Sequence, residues 1–223
     1  LAWDGLTIKD YQSDIHLNQV DYHFNFISKL VKNGLKNVVI AGSCFEYGNY
    51  NGEITENFKP KPITKYGQAK NILRNKLINL KNKFDFNLTW LRIFYFYGGE
   101  ELKNDLWGNL NLAVRKKKKL FKINNGSTLR DYMHIEDVTN YIWQLNSLNK
   151  NLGIINICSN SPISIKNLVN EWKKEYNWKI KINSNKVPVI KHEQNSYWGS
   201  NKKLKLIMKK NKTFFYNANK SIK

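Results

Sequence analysis

Three side chains in this sequence have the chemistry to pass a proton to or from an oxygen: Ser43, Tyr66 and Lys70. Tyr66 and Lys70 stand four positions apart, so on a helix they share one face. A phenol alone, with a pKa near ~10, is a poor acid–base group at neutral pH. An adjacent ammonium favours the phenolate and brings the group toward the working range. A hydroxyl such as Ser43 can hydrogen-bond a carbonyl and polarise it. Together the three suit a reaction in which a proton moves on oxygen while a hydride moves on carbon. The spacing alone decides little. It recurs at Tyr216 and Lys220 in a polar tail, and two solvated helix residues satisfy it equally well.

Context separates the first copy from the second. Val38 to Gly42 is a short β-branched run bounded by glycine, the pattern of a buried parallel strand, and it delivers Ser43 into a polar turn. A loop with Gly52, Pro60 and Pro62 follows over Asn49–Lys65. The helix that begins at Tyr66 continues through Ile72, Leu73, Leu77 and Leu80 to about Phe84. Upstream, Val20, Phe24, Ile27, Leu30 and Val31 recur at helical spacing over Leu17–Asn33, and Gly34 stops that helix. Downstream, Asn87–Ile93 reads as a second buried strand and Asp105–Lys117 as a helix. Leu120–Ile123 is a short strand, Ile135–Leu148 a helix, and Ile154–Cys158 a strand that rejoins the sheet. Ser164 caps a helix over Ile165–Tyr176. Lys179–Ile182 alternates like a half-exposed strand, and Leu204 and Ile207 mark a last short helix after Trp198-Gly199-Ser200.

Four stretches in order resemble the extended short-chain dehydrogenase/reductase family, the NAD-dependent epimerases, dehydratases and ketoreductases of nucleotide sugars. They are Ser43-Cys44-Phe45-Glu46-Tyr47-Gly48, Tyr66-Gly67-x-x-Lys70, Leu91-Arg92-Ile93-Phe94-Tyr95-x-Tyr97-Gly98, and Arg130 to Val138. Within that family the opening Leu-Ala-Trp, Cys-Phe-Glu-Tyr-Gly and Trp198-Gly199 are most similar to nucleotide-sugar 4-ketoreductases of the 6-deoxy-talose-forming type. The resemblance implies an α/β fold: a Rossmann-like doubly wound parallel sheet whose N-terminal half is absent, with a small C-terminal substrate-binding α/β subdomain. It places the cofactor half at 1–97 and the substrate-binding part at 98–223, with about 131–158 returning to the sheet. It implies NAD or NADP as cofactor. It makes Ser43, Tyr66 and Lys70 catalytic, puts Ala2, Ala41, Tyr66, Lys70 and Ile93 against the cofactor, and puts Ser43, Phe45, Tyr95 and Arg130 against the sugar nucleotide. Arg130, with its planar fork, suits a diphosphate, although pairing with Asp131 or Asp137 is an alternative for it.

The departures are informative. The glycine-rich turn that holds a dinucleotide pyrophosphate does not occur in this sequence, and the resemblance puts it before Leu1. Tyr95 stands where many relatives carry Asn. Cys44 and Phe45 stand where dehydratases place an acidic pair, which speaks against elimination of water and for ketone reduction. A 4-epimerase using the same three residues, and a non-catalytic relative, remain the alternatives.

Composition narrows the setting. The 223 residues are 41% hydrophobic, as in a globular protein. No apolar run reaches the ~18 residues of a membrane span. No signal peptide is evident, and the two cysteines, without metal-ligand spacing, fit a reduced cytoplasmic setting. The net charge of +20 invites a nucleic-acid reading, but lysine outnumbers arginine 33 to 4 and asparagine also numbers 33. That is the mark of A/T-rich coding. Arginine, the residue of bidentate base contacts, is scarce. The expected partners are therefore a nucleotide-sugar substrate and, in the full-length protein, a second copy; no nucleic acid, membrane or metal is expected. Arg115–Lys119 reads as a solvated helix end, and His134 as a structural hydrogen-bonder.

Overall fold

The computed structural model describes residues 3–6, 10–99, 105–185 and 196–212. Helical spacing of Val20, Ile27 and Val31 builds α1 (Ile15–Lys32), which closes on a left-handed Gly34. The amides of Gly34 and Leu35 return to the carbonyls of Val31 and Leu30 at 3.0 Å each, satisfying two of the carbonyls the helix end would orphan. Strand β1 (Asn37–Ser43) runs into one 3-10 turn, Cys44–Glu46. The segment expected to be a plain loop contains β2 (Gly52–Ile54), because a partner strand far along the chain pairs with it. Thr64 caps α2 (Lys65–Lys81), its hydroxyl accepting from the Gly67 amide at 3.1 Å. α2 ends before Phe84, which lies in the following turn. Strand β3 (Asn87–Ile93) is followed by β4 (Tyr95–Tyr97).

The rest of the chain alternates in the same way: α3 (Leu106–Arg115), β5 (Leu120–Asn124), β6 (Leu129–His134) and α4 (Ile135–Ser147). Then come β7 (Gly153–Ile157), β8 (Pro162–Ser164), α5 (Ile165–Glu175), β9 (Lys181–Asn185), β10 (Tyr197–Gly199) and α6 (Lys202–Lys210). Ser164 caps α5 as expected, accepting from the Asn167 amide at 3.2 Å. His134 caps α4 through Nδ1, which accepts from the Glu136 amide at 3.3 Å. The basic run Arg115–Lys118 is exposed at the end of α3.

The main sheet is parallel, in the order β1–β3–β7, and both of its faces are covered. Alternation within each strand divides the side chains between two cores. Val38, Leu88 and Trp90 face α1 and α2, where Leu73, Leu77 and Leu80 meet Val20, Ile27 and Val31. Leu91, Ile155 and Ile157 face the other way, onto Val138 and Leu145 of α4 and Leu204 of α6. Burial of each such side chain stabilises by about 1.5–3 kcal/mol, and a strand buried on both faces has to be continuously apolar. A third core, Trp107, Leu110, Ile123, Leu168, Val169, Trp172 and Ile180, joins α3 and α5 to the β5–β9 pair. Between the cores, β4–β6–β8 and the β2–β10 pair form a bridge packed around Tyr47, Ile54, Phe94 and Tyr197. Among the described residues no helix is long and apolar enough to cross a membrane. Nor, among them, is any group of three His, Cys, Asp or Glu residues placed to hold a metal.

Candidate active site

Ser43 is the last residue of β1, at the carboxyl end of the parallel sheet, where open α/β sheets bind their ligands. Its hydroxyl accepts from the Phe45 amide at 3.2 Å. Its own amide donates to Glu46 Oε1 at 2.9 Å, so Ser43 and Glu46 cap the 3-10 turn reciprocally. Glu46 is fully buried and fully engaged. The indole of Trp90 donates to Oε1 at 2.8 Å and Arg92 Nε donates to Oε2 at 3.0 Å. Gly42 makes room for this: a Cβ there would fall 2.2 Å from the Trp90 indole nitrogen and 2.6 Å from Glu46 Oε1. Behind Arg92 lies the ring of Tyr47, 4.2 Å from the guanidinium carbon, and the Tyr47 hydroxyl donates to Asn156 at 2.6 Å.

Tyr66 and Lys70 come from the first turns of α2. The seam between α2 and the Ser43 turn is backbone against backbone, because a Cβ on Gly67 would meet the Phe45 carbonyl oxygen at 2.4 Å. That contact brings the Tyr66 phenol up to Ser43, whose hydroxyl pulls the phenol's pKa down. Lys70 is buried and donates to the Ala41 carbonyl at 3.1 Å. The Trp3 ring covers its ammonium at 3.9 Å, and the Tyr66 ring centre is 5.8 Å away. Trp3 in turn donates to His16 Nδ1 at 3.0 Å, so the His16 proton sits on Nε2, which donates to the Asp10 carbonyl at 3.0 Å.

The electrostatics depart from the expectation that Lys70 lowers the tyrosine's pKa. Burial pushes the Tyr66 phenol well above its ordinary value, with only the Ser43 hydrogen bond pulling it down. The ammonium is turned to Ala41 and capped by an indole, and it is itself desolvated. Burial lowers Lys70 to about 8, opposed by the buried charge of Glu46.

An open cavity of about 950 Å³ lies at this end of the sheet. Ser43, Tyr66, Lys70, Ala41, Ile93, Phe45 and Tyr95 all line it. Arg130 does not. It is buried behind Tyr95, its guanidinium 5.6 Å from that ring, with one nitrogen donating to the Leu129 carbonyl at 2.9 Å. The Asp131 carboxylate takes the amides of Ser159 and Asn160 and the Ser159 hydroxyl at 2.7–2.9 Å. Ala2 and the Tyr216/Lys220 pair lie outside the described residues. Tyr11, which nothing in its polar sequence neighbourhood marks, lies on the Tyr66 ring and lines the same cavity. Glu56, in the loop before α2, accepts from the Asn156 amide at 2.9 Å.

Residues 7–158 match the family model of the NAD dependent epimerase/dehydratase family. A dTDP-6-deoxy-L-talose 4-dehydrogenase (NAD(+)) of Aggregatibacter actinomycetemcomitans is 32% identical over 202 residues, covering 90% of this chain and 73% of that protein. The solved UDP-N-acetylglucosamine 4-epimerase from Methanobrevibacter ruminantium M1, in complex with UDP-N-acetylmuramic acid, superposes with a TM-score of 0.79 at 17% identity, over 92% of this chain and 67% of that one. MoeE5, in complex with UDP-glucose and NAD, does so with a TM-score of 0.72 at 19% identity, over 82% of this chain and 62% of its own. At such identities the two solved structures speak to the fold, a Rossmann-like one.

Proposed function

This chain belongs to the NAD dependent epimerase/dehydratase family, and on that premise we propose that it reduces the 4-keto group of a nucleotide-activated, dTDP-linked 6-deoxy sugar. The observation that carries the reading is the convergence of Ser43, Tyr66 and Lys70 on one cavity at the carboxyl ends of β1 and β3. The two residues after Ser43 add to it. The Cys44 thiol is pushed up to about 12 by burial, and Phe45 is a hydrocarbon. Neither exchanges a proton near neutral pH, which favours reduction over elimination.

The lining fits the reactive end of a nicotinamide cofactor. It offers a buried ammonium, a strand carbonyl at Ala41 and the apolar edge of Ile93 side by side. NAD or NADP, when bound, supplies the hydride; Lys70 and Ala41 would hold its ribose end. Ser43 hydrogen-bonds the ketone oxygen and polarises it. Tyr66, kept protonated by burial, gives its proton to that oxygen as negative charge develops there. The Lys70 ammonium, 5.8 Å from the Tyr66 ring centre, adds positive charge near the new phenolate. Phe45 and Tyr95 wall the sugar, and Arg130 sets positive charge behind Tyr95 for the diphosphate. The same reading assigns residues 1–97 to the cofactor half and 98–223 to the substrate part, with 131–158 rejoining the sheet. A homodimer belongs to it as well, supported by Tyr22, Phe26 and Leu30 exposed along α1.

The test is Tyr66→Phe in the protein carrying this chain, assayed for NADH- or NADPH-dependent loss of a dTDP-4-keto-6-deoxy sugar. The expected result is a loss of turnover of at least a thousandfold with an unchanged melting temperature. Turnover within tenfold of the parent would sink the assignment. A cofactor that co-purifies and is never consumed would redirect it to a 4-epimerase.

A further inference from the structure

The short loop that carries Tyr11 is strapped to the start of α2. The Tyr11 carbonyl accepts the Tyr66 amide at 3.0 Å. Gln12 bridges the Lys65 amide and the Ile63 carbonyl at 3.3 Å each, and Asp14 pairs with the Lys65 ammonium at 2.7 Å. The Tyr11 ring lies nearly flat on Tyr66, with centres 5.4 Å apart and planes at 17°, and against Phe45 at 4.8 Å. Tyr11 lines the cavity together with Cys44, Tyr95 and Asp105, and burial keeps its hydroxyl protonated by pushing it up to about 12. A phenol in a largely desolvated cavity wall favours a ligand that brings its hydroxyl an acceptor.

We propose that Tyr11 is a further substrate-contact residue, whose hydroxyl donates to the sugar hydroxyl beside the carbonyl being reduced. The proposal rests on the reductase reading. In a 4-keto-6-deoxyhexose the carbons flanking the ketone are C3, which bears a hydroxyl, and C5, which bears a methyl and the ring oxygen. The group next to the ketone with which a phenol exchanges hydrogen bonds is therefore the C3 hydroxyl. A site built to meet a hydroxyl also rejects the analogue that lacks it, because its own polar group then stays unpaired.

Tyr11→Phe keeps the ring that stacks on Tyr66 and removes one oxygen. With the dTDP-4-keto-6-deoxy sugar, KM is expected to rise about tenfold, the worth of one hydrogen bond at ~1.4 kcal/mol, while kcat stays within twofold. The parent is expected to disfavour the 3-deoxy analogue by a similar factor, and Tyr11→Phe to accept both sugars alike. Unchanged KM, or a variant that still discriminates against the 3-deoxy analogue, overturns the proposal. A fall in kcat with unchanged KM also overturns it, since that would make Tyr11 only a support for Tyr66. If the parent turns over no ketone, the reductase reading falls. Calorimetric affinity for a stable dTDP-6-deoxy sugar then decides Tyr11 alone: a tenfold loss in Tyr11→Phe upholds the contact, and equal affinity refutes it.

Discussion

Replacing Glu46 with Gln perturbs the group that holds Ser43. The carboxylate is fully buried and accepts from the Ser43 amide, the Trp90 indole and Arg92 Nε at 2.8–3.0 Å. A glutamine keeps an acceptor for Ser43 and Trp90 but turns an NH2 group toward Arg92, whose side chain is equally buried. Two of its guanidinium nitrogens have no other partner among the described residues. Burying an uncompensated guanidinium costs about 3–5 kcal/mol, against a total stability of roughly 5–15 kcal/mol for a domain. Urea unfolding followed by circular dichroism is expected to show that loss. The double variant Glu46→Gln, Arg92→Met removes the nearer of two stranded charges, Arg74 Nε lying 3.8 Å from Oε2, and is expected to recover part of it. A single variant that loses less than about 1 kcal/mol, or a double variant no more stable than the single, would refute the account of Glu46 as the buried counter-charge of Arg92 and Arg74.

Three further outcomes follow from the site. Lys70 releases its proton near pH 8 in the folded chain and near 10.5 when unfolded, so between those values the unfolded chain binds more protons and stability rises with pH. Lys70→Met should flatten that rise in the unfolding free energy, and an unaltered slope would count against a buried, depressed lysine. Gly67→Ala gains helix propensity of about 1 kcal/mol but sets a methyl 2.4 Å from the Phe45 carbonyl oxygen. Overpacking of that kind costs about 1–3 kcal/mol, so the melting temperature should fall and turnover with it; a rise would refute the seam. The Cys44 thiol, held at about 12 by burial, should resist iodoacetamide at pH 8 until the chain is denatured, and alkylation of the native protein within minutes would contradict its burial.

What the sequence made legible was whatever repeats with a local period. The strands β1, β3 and β7 and the helices α1, α2, α4 and α5 were plain in runs and in 3.6-residue spacing, because burial on both faces leaves a continuous apolar signature. Ser43, Tyr66 and Lys70 were legible because a strand and a helix start deliver them. The partnerships made by distant segments were not. Glu46 stands in the sequence only as one residue of a motif, and nothing local says that Arg92 arrives from β3 to neutralise it. β2 is a strand only because β10 pairs with it. Arg130 carries the right chemistry for a phosphate, yet no spacing says that Tyr95 stands between it and the cavity. Tyr11 sits in a polar run with no periodicity, and only its stacking on Tyr66 distinguishes it.

The seam at Gly67 has an evolutionary consequence. The distance from the serine turn to the tyrosine helix is set by a main-chain carbonyl packed against a residue with no side chain, so it does not depend on which side chains line the cavity. The side chains of Phe45, Tyr95 and Tyr11 project from that frame without holding it together at the seam. Drift can therefore remodel the walls, and with them the sugar that is accepted, while the spacing of the reacting groups is inherited intact. Innovation in specificity and conservation of chemistry fall on different atoms of the same few residues.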